Sequence, residues 1–215
     1  EDPESDGPKN LLDALVCAAD GRLSGVHVVF DDLVIRGTHA RKIHSRDRHA
    51  FESAGSDPVG KISGGQLMLD REPGSRPDQA LTLNANLSPD VLLLKLTPGF
   101  SPRLLEAAPS LGYRAVVLEA FGLGGIPCLR RSLLPAIHSL TEQKIPVVVT
   151  TQCAFGDCDL SVYDVGTEAA RAGALCAGPM PTEAAVAKLI WILGQTDDHA
   201  AMIQLFSRDI AGEFH

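Results

Sequence analysis

The sequence has 215 residues, with 19 lysines and arginines against 27 aspartates and glutamates, a formal net charge of −8 and 45% hydrophobic residues. This length allows one large domain or two small domains, each with a buried core. The acidic balance argues against nucleic acid or an anionic membrane as a partner, since both require a basic surface, and the sequence lacks the run of about 20 apolar residues that a membrane helix needs.

The first elements predicted along the chain are a helix and a β-hairpin. The helix covers about Lys9–Ala19, and the alternation of apolar and polar residues over 26–30 predicts a strand. Asp31-Asp32 supplies the turn, and a second apolar strand ends near Gly37. Lys42 then follows in a basic loop, just beyond the hairpin. Loops held at the ends of strands often display catalytic side chains, but by composition alone a lysine in a polar loop is more simply a solvated surface residue.

Composition divides the chain into two blocks. Residues 1–63 hold the helix, the hairpin and a short apolar strand near Val59–Ile62. Residues 64–90 are rich in glycine, proline and aspartate and are predicted to be a linker. Residues 91–215 form the second block.

The second block alternates apolar strands with helices. Unbroken apolar strands of this kind are typical of a buried parallel sheet, and the alternation predicts an α/β doubly wound domain. The predicted strands are Val91–Leu96, Ala115–Leu118, Val147–Thr150 and Ala174–Ala177. The predicted helices are Pro102–Ser110, Leu129–Leu140, Tyr163–Ala172, Thr182–Leu193 and His199–Phe206.

Ligands of open α/β sheets bind beyond the carboxyl ends of the strands. Three loops occupy that position, at Thr97–Ser101, Glu119–Cys128 and Thr150–Asp159. The ligand-pocket candidates in the last two loops are Gly122, Gly124, Gly125, Gln152 and Cys153. The glycine run is not a dinucleotide fingerprint, because it lacks the third glycine at the right offset. Close backbone packing explains these glycines equally well, and Cys153 is more simply a half-buried thiol than a nucleophile.

The five cysteines are odd in number and widely spread, which is unsuited to a disulfide framework and favours a reducing cytoplasm. Cys153 and Cys158 bracket four residues, but no second pair or nearby histidine completes a zinc-like set. No metal or cofactor is therefore expected. His39, His44 and His49 surround Lys42 in the sequence and are interpreted as surface loop histidines.

Several collinear segments resemble the type I, cytosolic bacterial L-asparaginases. Residues 10–15 match the family's N-L-L-x-A-L helix, residues 28–42 its lysine-bearing hairpin, and residues 50–53 the stretch that follows. Further along, Pro98-Gly99 matches a strand–P-G–helix opening, Thr151-Gln152-Cys153 a T-Q-C strand end, and residues 182–189 the closing helix.

The resemblance implies that Lys42 is the lysine of the family's Thr–Lys–Asp triad. It also implies that residues 1–63 are a remnant of the N-terminal α/β domain, followed by a flavodoxin- or Rossmann-like C-terminal domain. The family carries its threonines and aspartate in T-G-G-T-like and T-D-T-like strings, and no T-G-G-T or G-T-D-T string occurs here. The sequence is therefore expected to be the C-terminal two-thirds of an asparaginase and inactive by itself.

The implied substrate is L-asparagine, and the implied assembly is a homodimer or homotetramer. In some type I enzymes an arginine clamps an effector asparagine at the end of a strand, a place held here by Glu119. Because carboxylates repel each other, no asparagine effector is expected at this place. The alternatives are a non-catalytic ligand-binding or interaction module and a subunit of a split amidohydrolase. A related tRNA-dependent amidotransferase subunit is disfavoured by the charge of −8.

Overall fold

A computed structural model describes residues 5–70, 80 and 82–214, and the chain forms two compact units that divide between Thr82 and Leu83. The described residues of the first unit form one helix, a four-stranded antiparallel sheet in the order β1-β2-β5-β6, and a separate strand pair, β3-β4. Its elements are α1 (Gly7–Ala19), β1 (His27–Phe30), β2 (Leu33–Arg36), β3 (Ala40–Lys42), β4 (Phe51–Ser53), β5 (Gly60–Ser63) and β6 (Gln66–Leu69).

Two tight turns define the hairpins of the first unit. Phe30 pairs with Leu33, so that Asp31 and Asp32 form a two-residue turn with φ angles of 47° and 67°. This left-handed conformation suits aspartate better than most residues with a Cβ, and it is typical of tight hairpins. The predicted turn between the first two strands is therefore present.

Part of the linker that the sequence predicts over 64–90 belongs instead to a second hairpin. Gly64 and Gly65, with φ angles of 58° and 72°, form the turn between β5 and β6. The glycines that suggest a linker thus connect two paired strands. Residues 71–79 and 81 of the predicted linker lie outside the described residues.

Helix α1 contributes little to the core of the first unit. The buried cluster of this unit consists of Cys17, Val34, Ile62 and Leu67. The leucines of α1 are largely exposed, by 64% at Leu11, 61% at Leu12 and 58% at Leu15.

The second unit is a parallel sheet covered by helices. Its strands are β7 (Val91–Lys95), β8 (Ala115–Ala120), β9 (Val147–Thr151) and β10 (Leu175–Cys176), in the order β10-β9-β8-β7. Its helices are α2 (Arg103–Ala107), α3 (Leu134–Glu142), α4 (Asp164–Arg171), α5 (Thr182–Gln195) and α6 (His199–Ser207). The predicted parallel α/β domain is confirmed.

The two faces of this sheet form two separate cores. Alternate residues of β8, such as Val116 and Leu118, pack with buried residues of α2, α3 and α4. Val117 lies on the other face, in a cluster with buried residues of α5 and α6. All six residues of β8 are buried, because helices cover both of its sides.

Two helices of this unit are shorter than predicted. Helix α2 ends before Pro109, which opens a 3-10 turn at Pro109–Leu111, because proline lacks the N–H that would continue the helix. Helix α3 begins at Leu134 and not at Leu129. Arg131, with a left-handed φ of 56°, interrupts the backbone before it.

A buried ion pair holds the C-terminal segment against α5 and α6. Lys188 Nζ lies 3.0 Å from Glu213 Oε1 and donates a 2.6 Å hydrogen bond to the carbonyl of Arg208. The same ammonium lies 4.8 Å from the ring centroid of Phe214. The exposed fractions of the Lys188 and Glu213 side chains are 3% and 4%. Among the described helices, none is long and apolar enough to cross a membrane.

Candidate functional site

Lys42 is the last residue of β3, where the sequence predicts a loop. It pairs with Phe51 of β4 in the antiparallel register, and its Nζ lies 5.5 Å from the centroid of the Phe51 ring. Phe51 in turn packs against Phe30, with ring centroids 5.1 Å apart. The side chain of Lys42 is exposed. A short strand pair and an aromatic ring therefore hold its ammonium in an exposed position.

The histidines near Lys42 have different roles. His39 is fully buried, with its Nδ1 2.7 Å from the carbonyl oxygen of Ala54, so the interpretation as a surface histidine is wrong for it. This contact anchors the start of β3. His49 lies between two carboxylates, with Nδ1 3.0 Å from Asp31 and Nε2 2.8 Å from Glu52. Two hydrogen bonds, the one to Glu52 having the larger effect and the one to Asp31 the smaller, raise the pKa of His49 above its usual 6.5.

In the second unit, a polar network lies at the carboxyl ends of the parallel strands. Glu119 is 7% exposed, and its Oε1 accepts a 3.1 Å hydrogen bond from the Thr182 hydroxyl. Its Oε2 lies 3.0 Å from Lys95 Nζ. The hydroxyls of Thr182 and Thr150 are 3.0 Å apart. This network connects the ends of β7, β8 and β9 with the start of α5.

Gln152 and Cys153 follow β9 at the same edge of the sheet. The Gln152 amide Nε2 donates to the carbonyls of Leu96, at 2.6 Å, and Glu119, at 2.9 Å. These bonds fix the ends of neighbouring strands. Cys153 is exposed and not half-buried as predicted, and its backbone N–H donates to the Thr151 hydroxyl at 3.0 Å.

The glycine-rich loop after β8 is a closed turn. The N–H of Gly125 donates to the carbonyl of Phe121 at 2.6 Å, and Gly122 and Gly124 have φ angles of 51° and 109°. A Cβ on Gly124 would lie 2.9 Å from Cys158 Sγ, whereas one on Gly122 would meet nothing within 4 Å. Backbone conformation and close packing therefore account for Gly124 without a ligand.

A cavity of about 400 Å³ lies at the opposite edge of the parallel sheet. Its lining includes Tyr113, Arg114 and Lys144, which precede β8 and β9. Ligands of open α/β sheets bind at the carboxyl ends of the strands, so this cavity is a poorer candidate than the edge that carries Glu119. Within the described part of the chain, no group of three or more His, Cys, Asp or Glu side chains is arranged to hold a metal ion.

Family comparison connects both units to one group of enzymes. Residues 1–74 match the model "Asparaginase, N-terminal", and residues 90–206 match "Glutaminase/Asparaginase C-terminal domain". The chain belongs to the asparaginase family. The matched ranges place Lys42 in the N-terminal asparaginase region and Glu119, Gln152 and Cys153 in the C-terminal one.

The curated proteins to which this chain is similar include two kinds of enzyme component, as their names indicate. An L-asparaginase of Thermococcus kodakarensis is 38% identical over 212 residues, covering 99% of this chain and 63% of that protein. A subunit of the glutamyl-tRNA(Gln) amidotransferase of Methanosarcina barkeri is 36% identical over 224 residues, covering 98% of this chain and 51% of that protein. The chain thus spans between about half and less than two thirds of the length of these relatives.

Solved asparaginase structures match the whole fold. The thermostable L-asparaginase of T. kodakarensis superposes with a TM-score of 0.92 at 37% identity, covering 100% of this chain and 64% of that chain. L-asparaginase I of Vibrio cholerae gives a TM-score of 0.84 at 28% identity, with the same coverage. The mixed fold of antiparallel and parallel sheets is therefore that of the family.

Sequence patterns do not reveal the network around Glu119. Its members come from three strands and one helix, and Glu119 is 63 residues from Thr182 in sequence. The only sequence signal is their position: Lys95, Glu119 and Thr150 each lie at the carboxyl end of a predicted strand, where side chains of neighbouring parallel strands meet.

Proposed function

We propose that this chain contributes Lys42 to an L-asparaginase-type active site, which hydrolyses L-asparagine to L-aspartate and ammonia. The supporting observation is the placement of Lys42, whose exposed ammonium projects from β3 beside Phe51 within the segment that matches the asparaginase N-terminal model.

In this proposal, Lys42 assists a threonine nucleophile. A threonine hydroxyl is a weak nucleophile until a base draws off its proton, and lysine acting with an aspartate is one such base. The threonine would attack the side-chain amide of the substrate and release ammonia. Water would then cleave the acyl-enzyme and release aspartate. The T-G-G-T and G-T-D-T strings, which by the family resemblance would carry the threonine and the aspartate, do not occur in these 215 residues.

Ammonia release from L-asparagine tests the proposal. It is measured for this chain alone and for a fusion in which this chain follows the part of the T. kodakarensis enzyme that it does not span. We expect the fusion to be active and Lys42→Ala to lower its rate by about 10²- to 10⁴-fold, the range typical of a lost general base. Lys61→Ala, at an exposed position of β5, is the matched control and should leave the rate unchanged.

Two results would contradict this assignment. A fusion whose activity survives Lys42→Ala would remove Lys42 from the catalytic group. A folded fusion that releases no ammonia would instead support the alternative of a non-catalytic ligand-binding or interaction module.

A second candidate function is that of a subunit of a split amidohydrolase. The observation in its favour is the 36% identity to a protein named as a subunit of a glutamyl-tRNA(Gln) amidotransferase. Binding of labelled tRNA at physiological salt separates the two candidates. Because the chain carries a net charge of −8, we expect no binding tighter than the roughly 10⁻⁴ to 10⁻⁶ M of non-specific association. Tighter binding would favour the amidotransferase role.

We also propose that the edge carrying Glu119 does not bind asparagine as an effector. The carboxylate of Glu119 is paired with Lys95 and hydrogen-bonded to Thr182, and a second carboxylate placed beside it would be repelled. Calorimetry with L-asparagine should detect no binding at this edge in the unmodified chain. Asparagine binding to the unmodified chain that Glu119→Arg changes would place the ligand at this edge and refute this proposal.

We further propose that the protein acts in the cytoplasm as a homodimer or homotetramer. No disulfide bond joins any of the five cysteines in the described part of the chain, which suits a reducing compartment. Light scattering at increasing concentration tests the assembly, and a mass equal to one chain at every concentration would contradict it.

A further inference from the structure

Two cysteines of the second unit lie in direct contact. The Sγ atoms of Cys158 and Cys176 are 3.4 Å apart, although 18 residues separate them in sequence. Cys176 Sγ also lies 3.0 Å from the carbonyl oxygen of Cys158. The backbones run close together as well, because the N–H of Cys158 donates a 2.9 Å hydrogen bond to the carbonyl of Gly178.

The two thiols differ in their access to solvent. Cys158 is 2% exposed and belongs to the core cluster on one face of the parallel sheet. Cys176 is half-buried and lies in β10, the edge strand of that sheet. A reagent from solvent should therefore reach Cys176 more readily than Cys158.

The electrostatic environment also distinguishes the thiols. The contact with the Cys158 thiol, together with the backbone N–H groups of Gly178 and Leu160, outweighs burial and lowers the pKa of Cys176 below that of an ordinary thiol. The same contact and burial raise the pKa of Cys158. The half-exposed thiol is thus the more acidic of the two, and the thiolate is the nucleophile in thiol–disulfide exchange.

We propose that Cys158 and Cys176 form a redox-active dithiol, which a small disulfide such as oxidised glutathione converts into an intramolecular disulfide bond. The reactivity of this pair does not depend on the proposed amidohydrolase activity.

The exchange proceeds in two steps. The Cys176 thiolate attacks one sulfur of the small disulfide, the S–S bond of that molecule breaks, and one small thiolate leaves. Cys158 then loses its proton and attacks Cys176 Sγ, which expels the second small thiolate. The protein loses two electrons and two protons, and the small disulfide gains them as two thiols. Closing the bond requires the sulfurs to approach from 3.4 Å to about 2.0 Å.

The new bond would stiffen a segment that carries ligand-pocket candidates. Cys158 ends the exposed stretch that follows Gln152 and Cys153, and the next residue, Asp159, donates its N–H to the carbonyl of Leu123 in the glycine-rich loop. A disulfide would tie this stretch covalently to β10. Oxidation should therefore raise the resistance of residues 152–158 to proteolysis.

Peptide mapping tests the pair directly. The full chain is incubated with oxidised glutathione at neutral pH, alkylated and digested with trypsin without reduction. Cleavage after Lys144, Arg171 and Lys188 gives peptide 145–171, which contains Cys158, and peptide 172–188, which contains Cys176. We expect these two peptides to become joined and then to separate on reduction.

Single variants separate the two roles. Cys158→Ser should leave a stable glutathione adduct on Cys176, whereas Cys176→Ser should leave Cys158 reduced and unmodified. Cys128→Ser, a half-buried cysteine elsewhere in the unit, is the control that should still form the cross-link.

Peptide 145–171 also contains Cys153, so a Cys153–Cys158 bond would close within one peptide and give no cross-link. That result would overturn the proposal. So would alkylation of both Cys158 and Cys176 in the unmodified chain after oxidation, a readout that does not depend on any variant folding.

Discussion

The two units of the chain bury their helices to different degrees. In α5, six residues are buried, and α5 and α6 together cover one face of the parallel sheet. In α1, only Asp13 and Cys17 are buried, and the leucines lie largely in solvent. Helices gain most of their stability in proteins by packing an apolar face. The second unit should therefore be the more stable one, while the unit that carries Lys42 should open more easily.

The largest expected effect on stability is in the second unit, where helices cover both faces of the parallel sheet. Leu118→Ala removes a fully buried side chain of β8 and should lower the free energy of unfolding by about 4 kcal/mol, since it leaves a cavity. Leu12→Ala on the exposed face of α1 is the matched control and should cost less than about 0.5 kcal/mol. Urea unfolding measures both, and equal losses would mean that α1 is packed in solution.

The second contrast concerns ion pairs. Lys188→Met leaves the Glu213 carboxylate buried without its ammonium partner and should lower the free energy of unfolding by about 3 kcal/mol. Adding Glu213→Leu to this variant removes the buried charge and should restore much of that free energy. In the first unit, Lys9 contacts Asp13 and Asp32 with its side chain 55% exposed. Lys9→Ala should therefore cost at most about 1 kcal/mol. Thermal unfolding of all three variants is the measurement. If Lys9→Ala lowers the free energy of unfolding as much as Lys188→Met, the two ion pairs do not differ as expected.

Glycine turns give a smaller difference between the units. Gly173 has a φ of 102°, and a Cβ there would lie 2.5 Å from the Thr141 hydroxyl. Gly173→Ala should therefore destabilise the second unit by about 2 to 3 kcal/mol, through strain and crowding together. At Gly64, with a φ of 58°, the added Cβ would meet nothing within 4 Å. Gly64→Ala should cost only about 1 kcal/mol, and a reversed order in chemical unfolding would contradict the packing around Thr141.

The two units should also have opposite pH dependences of stability. In the first, the raised pKa of His49 means that its contribution to stability is present below 6.5 and is lost as pH rises through the raised value. In the second, burial raises the pKa of Glu213, but hydrogen bonds with Asp209 and backbone N–H groups outweigh it and lower the pKa to about 2. That contribution is present above 4.5 and is lost as pH falls toward 2.

Hydrogen exchange resolved along the chain measures these dependences. His27 has the opposite effect to His49 on the pH dependence of stability. Its pKa is lowered, mainly by burial and to a lesser extent by the charge of Arg36. The His49 effect is therefore taken as the difference between the unmodified chain and His49→Gln. A difference that does not shrink as pH rises would show that the contacts of His49 with Asp31 and Glu52 do not stabilise the first unit.

Sequence patterns predicted the second unit better than the first, for physical reasons. Long apolar runs such as 147–149 indicate a strand buried on both faces, and this interpretation needs no knowledge of distant contacts. Strand β6 was missed, because Gly64-Gly65 is as typical of a linker as of a tight hairpin turn. His39 was misread as a surface residue, since its buried contact is with the carbonyl of Ala54, which is distant in sequence.

The candidate site was predictable only in part. Lys42 was found through family resemblance, and the sequence gives no sign that Phe51 would lie under its ammonium. The pairing of Glu119 with Lys95 and Thr182 depends on strand order and on where α5 begins. Neither can be read from local patterns, and the same holds for the contact between Cys158 and Cys176.

The order of strands in the second unit has a consequence for synthesis on the ribosome. Strands β7 to β10 neighbour one another in the order in which they are made, so the sheet can grow by one strand at a time. Helices α2, α3 and α4 emerge between the strands and cover one face as it forms. The other face, with Val117 and Val148, is covered by α5 and α6, which emerge last. Until they do, the nascent chain presents a bare apolar surface, and this is the stage at which a chaperone would protect it from aggregation.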